Sequence, residues 1–434
     1  MERVAVGMLG LGTVGSGVAR LLVEHADRIA RRAGRPVNLK CAAVRDPGRA
    51  RGVELGSARV VGDARKVLDD PEIGLVVEVM GGIRPALDHI LDALAAGKDV
   101  VTANKALLAE HGAELFAQAR RSGRAIAFEG AVGGGIPIVQ ALSVGLGANQ
   151  VQSLAAIVNG TCNFILTAMS RDALPYAKAL ARAQELGYAE ADPTLDVDGT
   201  DTAHKLAVLV QLAFGASVTT GMIPREGIDR LQPADIAYAA ELGYAVKLLA
   251  TAKGSDAGLE LRVAPTLVRR GTPMADVGGP YNAVRVVGDA VGDTFFYGRG
   301  AGAMPTASAV VGDIIDVVVG RAALTSRALD LWPEGAPAPR LVGDDQIRNR
   351  YYLRFTIADR PGVIAAIARI LGDHGISIAS LIQHDPGDDA PLGAPVPLVM
   401  MTHLAVEGHL RAAIAEVDRL GVVRPPSICL NVEE

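Results

Sequence analysis

The densest run of ionisable side chains in the sequence lies between Glu190 and Lys205. Glu190, Asp192, Asp196, Asp198 and Asp201 place five carboxylates within twelve residues, and His204 and Lys205 follow. Asp201 and Lys205 are four residues apart, which puts them on one face of the helix predicted from about 200 to 214. Such a carboxylate–ammonium pair could hold and move a proton. By composition alone, the ordinary reading is an acidic helix start and a surface ion pair. Asp192, Asp196 and Asp198 do not match the ligand spacing of an EF-hand calcium loop.

A second chemical feature opens the chain. Gly10-Leu11-Gly12-Thr13-Val14-Gly15 follows the apolar run 4–9 and precedes a helical pattern at Val18, Leu21 and Leu22. Between a strand and a helix, GxGxxG binds a dinucleotide. Gly10 permits the tight turn, Gly12 lets a pyrophosphate reach the backbone, and Gly15 allows close helix–strand packing. The phosphates would lie at the helix N-terminus. A purely structural glycine turn is the alternative. The next strand, 38–44, ends at Arg45-Asp46, with Arg49 and Arg51 beyond. An acidic residue there suits the ribose hydroxyls of NAD and an Arg suits the 2′-phosphate of NADP. Arg45 tips the reading to NADP, with NAD possible.

These residues need a scaffold. Strand patterns at 4–9, 38–44, 74–80, 99–102 and 125–129 alternate with helical ones. That predicts an α/β fold with a Rossmann-type doubly wound parallel sheet. Gly10, Arg45, Met80-Gly81-Gly82, Asn104-Lys105 and Glu129 all fall at carboxyl ends of these strands, where such folds bind ligands. After Gly133-Gly134-Gly135 the pattern changes to a helix at 137–145, a strand at 151–159, a turn into a helix from Gly160, and a helix at 176–186.

Length and composition set the frame. The 434 residues imply two to four domains. Lys plus Arg number 43 against 48 Asp plus Glu, so no polybasic surface argues for nucleic acid. No apolar run approaches the ~18 residues of a membrane span, and no secretory-signal layout opens the chain. Cys41, Cys162 and Cys429 are too scattered for a disulfide framework or a metal motif, which suits a reducing cytoplasm.

Toward the C-terminus, residues 326–349 contain Trp332-Pro333-Glu334-Gly335-Ala336-Pro337-Ala338-Pro339 and read as a linker. Beyond it come a strand at 351–357, the turn Asp359-Arg360-Pro361-Gly362, a helix at 363–372, strands at 376–382 and 398–406, a helix at 408–420 and a strand at 422–430. This is the ferredoxin-like βαββαβ order.

The chain resembles homoserine dehydrogenase over nearly its whole length. The resemblance rests on GLGTVGSG at 10–17, TANK at 102–105, FEGAVGGGIPIV at 128–139, VNGTCNFIL at 158–166, GYAEADPTLDVDGTDTAHKLAVL at 187–209 and GRGAGAMPTASAVVGDI at 298–314. It implies NAD(P)-dependent interconversion of L-aspartate 4-semialdehyde and L-homoserine. It implies that Lys205 transfers the proton at the reacting oxygen and that Lys105 is a second active-site lysine near cofactor and substrate. Asp201, Glu190 and, less directly, Asp196 are the implied substrate-binding carboxylates, Glu190 facing the substrate ammonium. Thr13, Val14, Arg45 and Gly302 are implied cofactor contacts. A sodium ion is implied on the main-chain carbonyls of Glu129, Val132, Gly134 and Ile136.

The domain plan that follows is a dinucleotide-binding domain at 1–135 completed by about 303–325, an α+β substrate-binding, catalytic and dimerisation domain at 136–302, the linker, and a regulatory domain at 350–434. The DRPG turn and the strand Gly375-Ile376-Ser377-Ile378 resemble ACT domains, which commonly pair side by side and bind an amino acid at the interface; a purely structural dimerisation module is the alternative. L-threonine is the implied effector, and a homodimer or homotetramer the implied assembly. No aspartate kinase segment is expected ahead of residue 4. Two rivals are an aldehyde dehydrogenase using Cys162 as nucleophile and a catalytically inactive amino-acid and redox-sensing regulator. The first needs a basic partner for the thiol; the second would bind cofactor without turnover.

Overall fold

The computed structural model describes residues 3–384 and 394–433. Six parallel strands form the first sheet. In spatial order they are Arg59–Val61, Val37–Ala43, Val4–Leu9, Ile73–Glu78, Asp99–Thr102 and Ile126–Ala127. The central strands are apolar on both faces because helices cover both, and Val6, Met8, Val76 and Val77 are fully buried. Chain order reverses between Val4–Leu9 and Ile73–Glu78, which opens a crevice at their carboxyl ends.

The helix Thr13–Glu24 leaves that crevice and is crossed by the helix Ala303–Val318. Gly17 makes the crossing possible, since a Cβ there would lie 2.9 Å from both the Ala303 carbonyl and the Ala307 side chain. Ala307, Val310 and Ile314 share a buried cluster with Val6, Met8 and Val18, so the chain returns to the first sheet after Gly302.

Sequence patterning assigns no strands between 215 and 298. The structure fills that stretch with two hairpins, Tyr244–Ser255 with Gly258–Arg269 and Tyr281–Gly288 with Gly292–Arg299. A short run such as Val246–Ala250, apolar but for Lys247, has no period that separates strand from helix. Both hairpins flank Val151–Ile157 in one sheet, on which the helices Gly160–Arg171 and Thr200–Phe214 pack. The helix expected at 137–145 is one α-turn, Ile138–Gln140, continued by a π-turn, Ala141–Gly145.

The C-terminal strands stand in the order Ile428–Glu433, Arg348–Ala358, Pro395–Thr402, Ile378–Ile382, the ferredoxin-like arrangement, with helices Val363–Asp373 and Glu407–Val417. The last strand starts six residues later than the pattern at 422–430 indicates. Val423 makes only an isolated bridge to Ile357, and Pro425 and Pro426 lack the N–H groups that would extend it into a ladder. This sheet is not separate. Asn431, Val432 and Glu433 pair in parallel with Thr266, Leu267 and Val268, so one sheet runs from the middle of the chain through the C-terminal region. Buried ion pairs line the seam. Arg354 Nε and Nη2 reach the two Asp235 oxygens at 2.6 and 3.1 Å, and Arg262 pairs with Glu407.

The stretch 326–349 is also tied down. It begins inside the helix Arg321–Leu329 and ends as the strand Arg348–Ala358 starts. Leu331 and Trp332 are buried, the indole stacks on Phe116 at 4.8 Å, and Arg120 donates to both their carbonyls. Among the described residues, no helix is long and apolar enough to cross a membrane.

Candidate active site

The site begins where Val151–Ile157 ends. Asn159 caps the helix Gly160–Arg171, its Oδ1 accepting the Cys162 N–H at 2.8 Å. The cap turns the Asn159 amide nitrogen inward, where it donates to Asp196 Oδ1 at 2.8 Å and Asp201 Oδ2 at 2.9 Å. Asp201 stands in the first turn of Thr200–Phe214, and Asp198, just ahead of it, accepts from the Thr200 N–H and hydroxyl at 2.8 and 2.9 Å. One turn on, Lys205 Nζ donates to Asp201 Oδ2 at 2.6 Å and to the Val158 carbonyl at 2.7 Å.

A second lysine arrives from the other sheet. Lys105 opens the helix Lys105–Ser122, capped by Asn104, beyond the strand Asp99–Thr102. Its Nζ lies 3.3 Å from Asp201 Oδ1. One carboxylate thus bridges two ammonium groups held by different sheets.

Burial alone would raise the Asp201 carboxyl, but the charges of Lys205 and Lys105 and hydrogen bonds from Lys205 and Asn159 hold it well below the usual carboxylate range. Asp196 moves the other way, raised by burial and by the nearby Asp201 charge against the Asn159 hydrogen bond. Burial pushes the Cys162 thiol up, and Asp196 and Asp201 push it further. A thiol so placed is a poor nucleophile, which counts against the aldehyde dehydrogenase rival.

Glu190 is exposed, its carbonyl accepting from Gln184 at 3.1 Å; its carboxylate makes no hydrogen bond or ion pair among the described residues. Asp192 is taken up locally by Thr194. In the glycine loop Gly10 has φ +99°, and a Cβ there would lie 2.7 Å from the Val79 carbonyl. Gly15 packs on the Gly10 carbonyl, and a Cβ on Gly12 would meet nothing within 4 Å. No side chain caps the helix that starts at Thr13. Its first N–H groups are therefore open to an anion, and the loop fits a pyrophosphate. Thr13 is exposed and Val14 half-buried at this loop, Arg45 is exposed beyond Val37–Ala43, and Gly302 caps Ala303–Val318.

The Gly-rich turn is buried at Glu129, Val132, Gly134 and Ile136. Gly134 has φ +52°, and a Cβ there would lie 2.5 Å from the Gly300 carbonyl. The Glu129 carboxylate accepts from the Val139 and Gln140 N–H groups at 2.9 and 2.8 Å. Burial pushes it up to about 7. Among the described residues no cluster of three His, Cys, Asp or Glu side chains could hold a metal ion. A cation here would depend on main-chain oxygens, and the Ile136 carbonyl already accepts from the Ile138 N–H at 2.8 Å.

Asn159 was legible only as part of a quoted motif. Its signal is an Asn before a helix start at a strand end, which marks a cap and not a ligand.

Three family models match the chain. They are homoserine dehydrogenase over residues 137–315, the homoserine dehydrogenase NAD binding domain over 10–129, and the ACT domain over 351–422. Homoserine dehydrogenase of Pseudomonas aeruginosa is 44% identical over 440 residues, covering 100% of both chains. That of Bacillus subtilis is 37% identical, covering 100% of this chain and 99% of the relative. The crystal structure of a homoserine dehydrogenase from Thiobacillus denitrificans is 43% identical with a TM-score of 0.93, covering 100% of this chain and 99% of that one. A hyperthermophilic archaeal homoserine dehydrogenase in complex with NADPH is 26% identical with a TM-score of 0.63, covering 73% of this chain and 98% of that one. With these likenesses across the glycine loop, the lysine–carboxylate centre and the C-terminal sheet, the chain belongs to the homoserine dehydrogenase family of NAD(P)-dependent oxidoreductases and carries a C-terminal ACT domain.

Proposed function

We propose that the chain interconverts L-aspartate 4-semialdehyde and L-homoserine, with Lys205 as the proton-transferring group. The observation that carries this is Asp201 bridging Lys205 and Lys105 at 2.6 and 3.3 Å. Bound NAD(P) supplies or accepts the hydride. Reduction of the aldehyde leaves negative charge on oxygen, and two ammonium groups at one carboxylate are suited to receive it. Lys205 gives its proton to that oxygen as the alcohol forms, and its neutral amine takes the proton back in the reverse direction. Asp201 fixes Lys205 in place, and Asn159 fixes Asp201. The free carboxylate of Glu190 is available to the substrate ammonium, with Asp196 beside Asp201.

Gly10, Gly12, Thr13, Val14, Gly15, Lys105 and Gly302 would hold the cofactor, and Arg45 favours NADP over NAD. A sodium ion on the carbonyls of Glu129, Val132, Gly134 and Ile136 would brace the turn that leads from the first sheet to the second. The domain limits follow the plan set out above, with residues 136–302 providing the contacts of a homodimer or homotetramer. The ACT domain takes L-threonine as effector. Its test is titration of the full chain with millimolar threonine, and unchanged activity would refute it.

The test of the central claim is Lys205→Met with steady-state rates in both directions. Loss of kcat by about 100-fold or more with cofactor binding retained is expected. A kcat within about threefold of the parent would remove Lys205 from proton transfer.

A further inference from the structure

Glu78 is the last residue of the strand Ile73–Glu78 and is fully buried. No lysine or arginine pairs with it among the described residues. Its oxygens divide between two loops. Oε1 accepts from the Met80 and Gly81 N–H groups at 2.8 and 3.3 Å. Oε2 accepts from the Thr102 hydroxyl at 2.6 Å. Thr102 Oγ1 in turn accepts the Asn104 N–H at 3.1 Å, and Asn104 Nδ2 donates across to the Gly82 carbonyl at 2.6 Å. Asn104 Oδ1 caps the helix that begins at Lys105. The Val79 carbonyl next to Glu78 is also the atom a Cβ on Gly10 would strike.

A carboxylate buried without a counter-charge is costly, and here it is met by main-chain, hydroxyl and amide donors that carry no charge. Burial pushes the Glu78 carboxyl up, and hydrogen bonds from Thr102, Met80, Gly81 and Asn104 draw it back. An apolar residue would serve a structural strand end at lower cost. What the carboxylate provides is one rigid link between two strand ends: the Met80–Gly82 turn and the segment that presents Lys105.

We infer that Glu78 is a positioning residue for Lys105, clamping the Thr102–Asn104 segment against the Met80–Gly82 turn so that Lys105 meets Asp201. This rests on Lys105 acting at the site. A misplacement of about 1 Å at such a group can cost ~100-fold in rate.

The test is a double-mutant cycle of Glu78→Gln and Lys105→Ala, read as kcat for homoserine oxidation by NADP. Glu78→Gln keeps the volume and can still accept from the Met80 and Gly81 N–H groups. It turns an amide group toward the Thr102 hydroxyl, which then has no acceptor. A tenfold or greater loss of kcat is expected in the parent, falling to about twofold or less when Lys105 is already Ala. Thr102→Val, which removes only the Oε2 arm, should give the same coupling and serves if Glu78→Gln does not fold. An undiminished loss in the Lys105→Ala background, or a parental kcat in Glu78→Gln, would overturn the role of Glu78. A parental kcat in Lys105→Ala would instead overturn the part given to Lys105, which separates the two failures.

Discussion

Asp201→Asn isolates the charge at the centre of the site. Coulomb's law at an effective dielectric of about 20 gives ~6 kcal/mol for Lys205 at 2.6 Å and ~5 kcal/mol for Lys105 at 3.3 Å before desolvation is subtracted. The Lys105 side chain is 40% exposed, so solvent screens its arm to about 1 kcal/mol or less. The Lys205 side chain is 12% exposed, and removing the partner of a buried charge costs ~3–5 kcal/mol. The asparagine oxygen can stand where Oδ2 stands and still accept from Lys205 and Asn159, so the lower end of that range applies. Its amide group then faces the Lys105 ammonium. Unfolding entropy scales to about 0.9 kcal/mol/K for 434 residues, so ~3 kcal/mol lowers Tm by about 3 °C. The Asp201 carboxyl is held below its unfolded value in the fold. The stability it contributes is complete above about pH 3.9 and is lost as pH falls through the folded value. The Tm deficit of the variant should therefore be constant from pH 5 to 8 and shrink below pH 4. Calorimetry across pH and steady-state kinetics at neutral pH measure both effects, and kcat should fall by about 100-fold. A variant with the parental Tm at pH 7 and a kcat within about threefold would refute the bridging role.

Three further outcomes can be checked. The Glu129 carboxyl is raised by burial from 4.5 to about 7, so the native state holds a proton that the unfolded chain has released, and stability declines as pH rises through that window by up to ~3 kcal/mol. Glu129→Gln should show a shallower decline of Tm between pH 5 and 8, and equal slopes would sink the assignment. Arg354→Met leaves Asp235 buried without its guanidinium and should cost ~3–5 kcal/mol, seen as a Tm drop of about 3–5 °C. A change under 1 °C would show that the seam does not depend on this pair. Arg45→Ala should lower the ratio of kcat/KM for NADPH to that for NADH by about tenfold; an unchanged ratio removes Arg45 from cofactor choice.

The parts of the site that were legible in the sequence are those set by local geometry. The glycine loop declares itself because Gly10 must take a positive φ beside Val79, and the Asp201–Lys205 pair because four residues make one helical turn. Lys105 reaches Asp201 only through the docking of two sheets, and no local pattern encodes that. The acidic run could not be sorted from sequence, because Asp192 and Asp198 bond locally to Thr194 and Thr200 while Asp196 and Asp201 turn inward onto Asn159. Glu78 reads as one residue of an apolar strand, and its role depends on the Met80–Gly82 turn meeting the Thr102–Asn104 segment. The linker reading missed Trp332 because proline content signals a break in regular structure but not whether the chain there is packed.

The pairing of Ile428–Glu433 with Gly258–Arg269 has a genetic consequence. A chain truncated before residue 348 would still encode both lysines, the glycine loop and every carboxylate of the site. It would also bare the strand edge at Thr266–Val268 and leave Asp235 and Arg262 without their ion-pair partners. A premature stop in the last fifth of the coding sequence should therefore behave as a loss-of-function allele through aggregation.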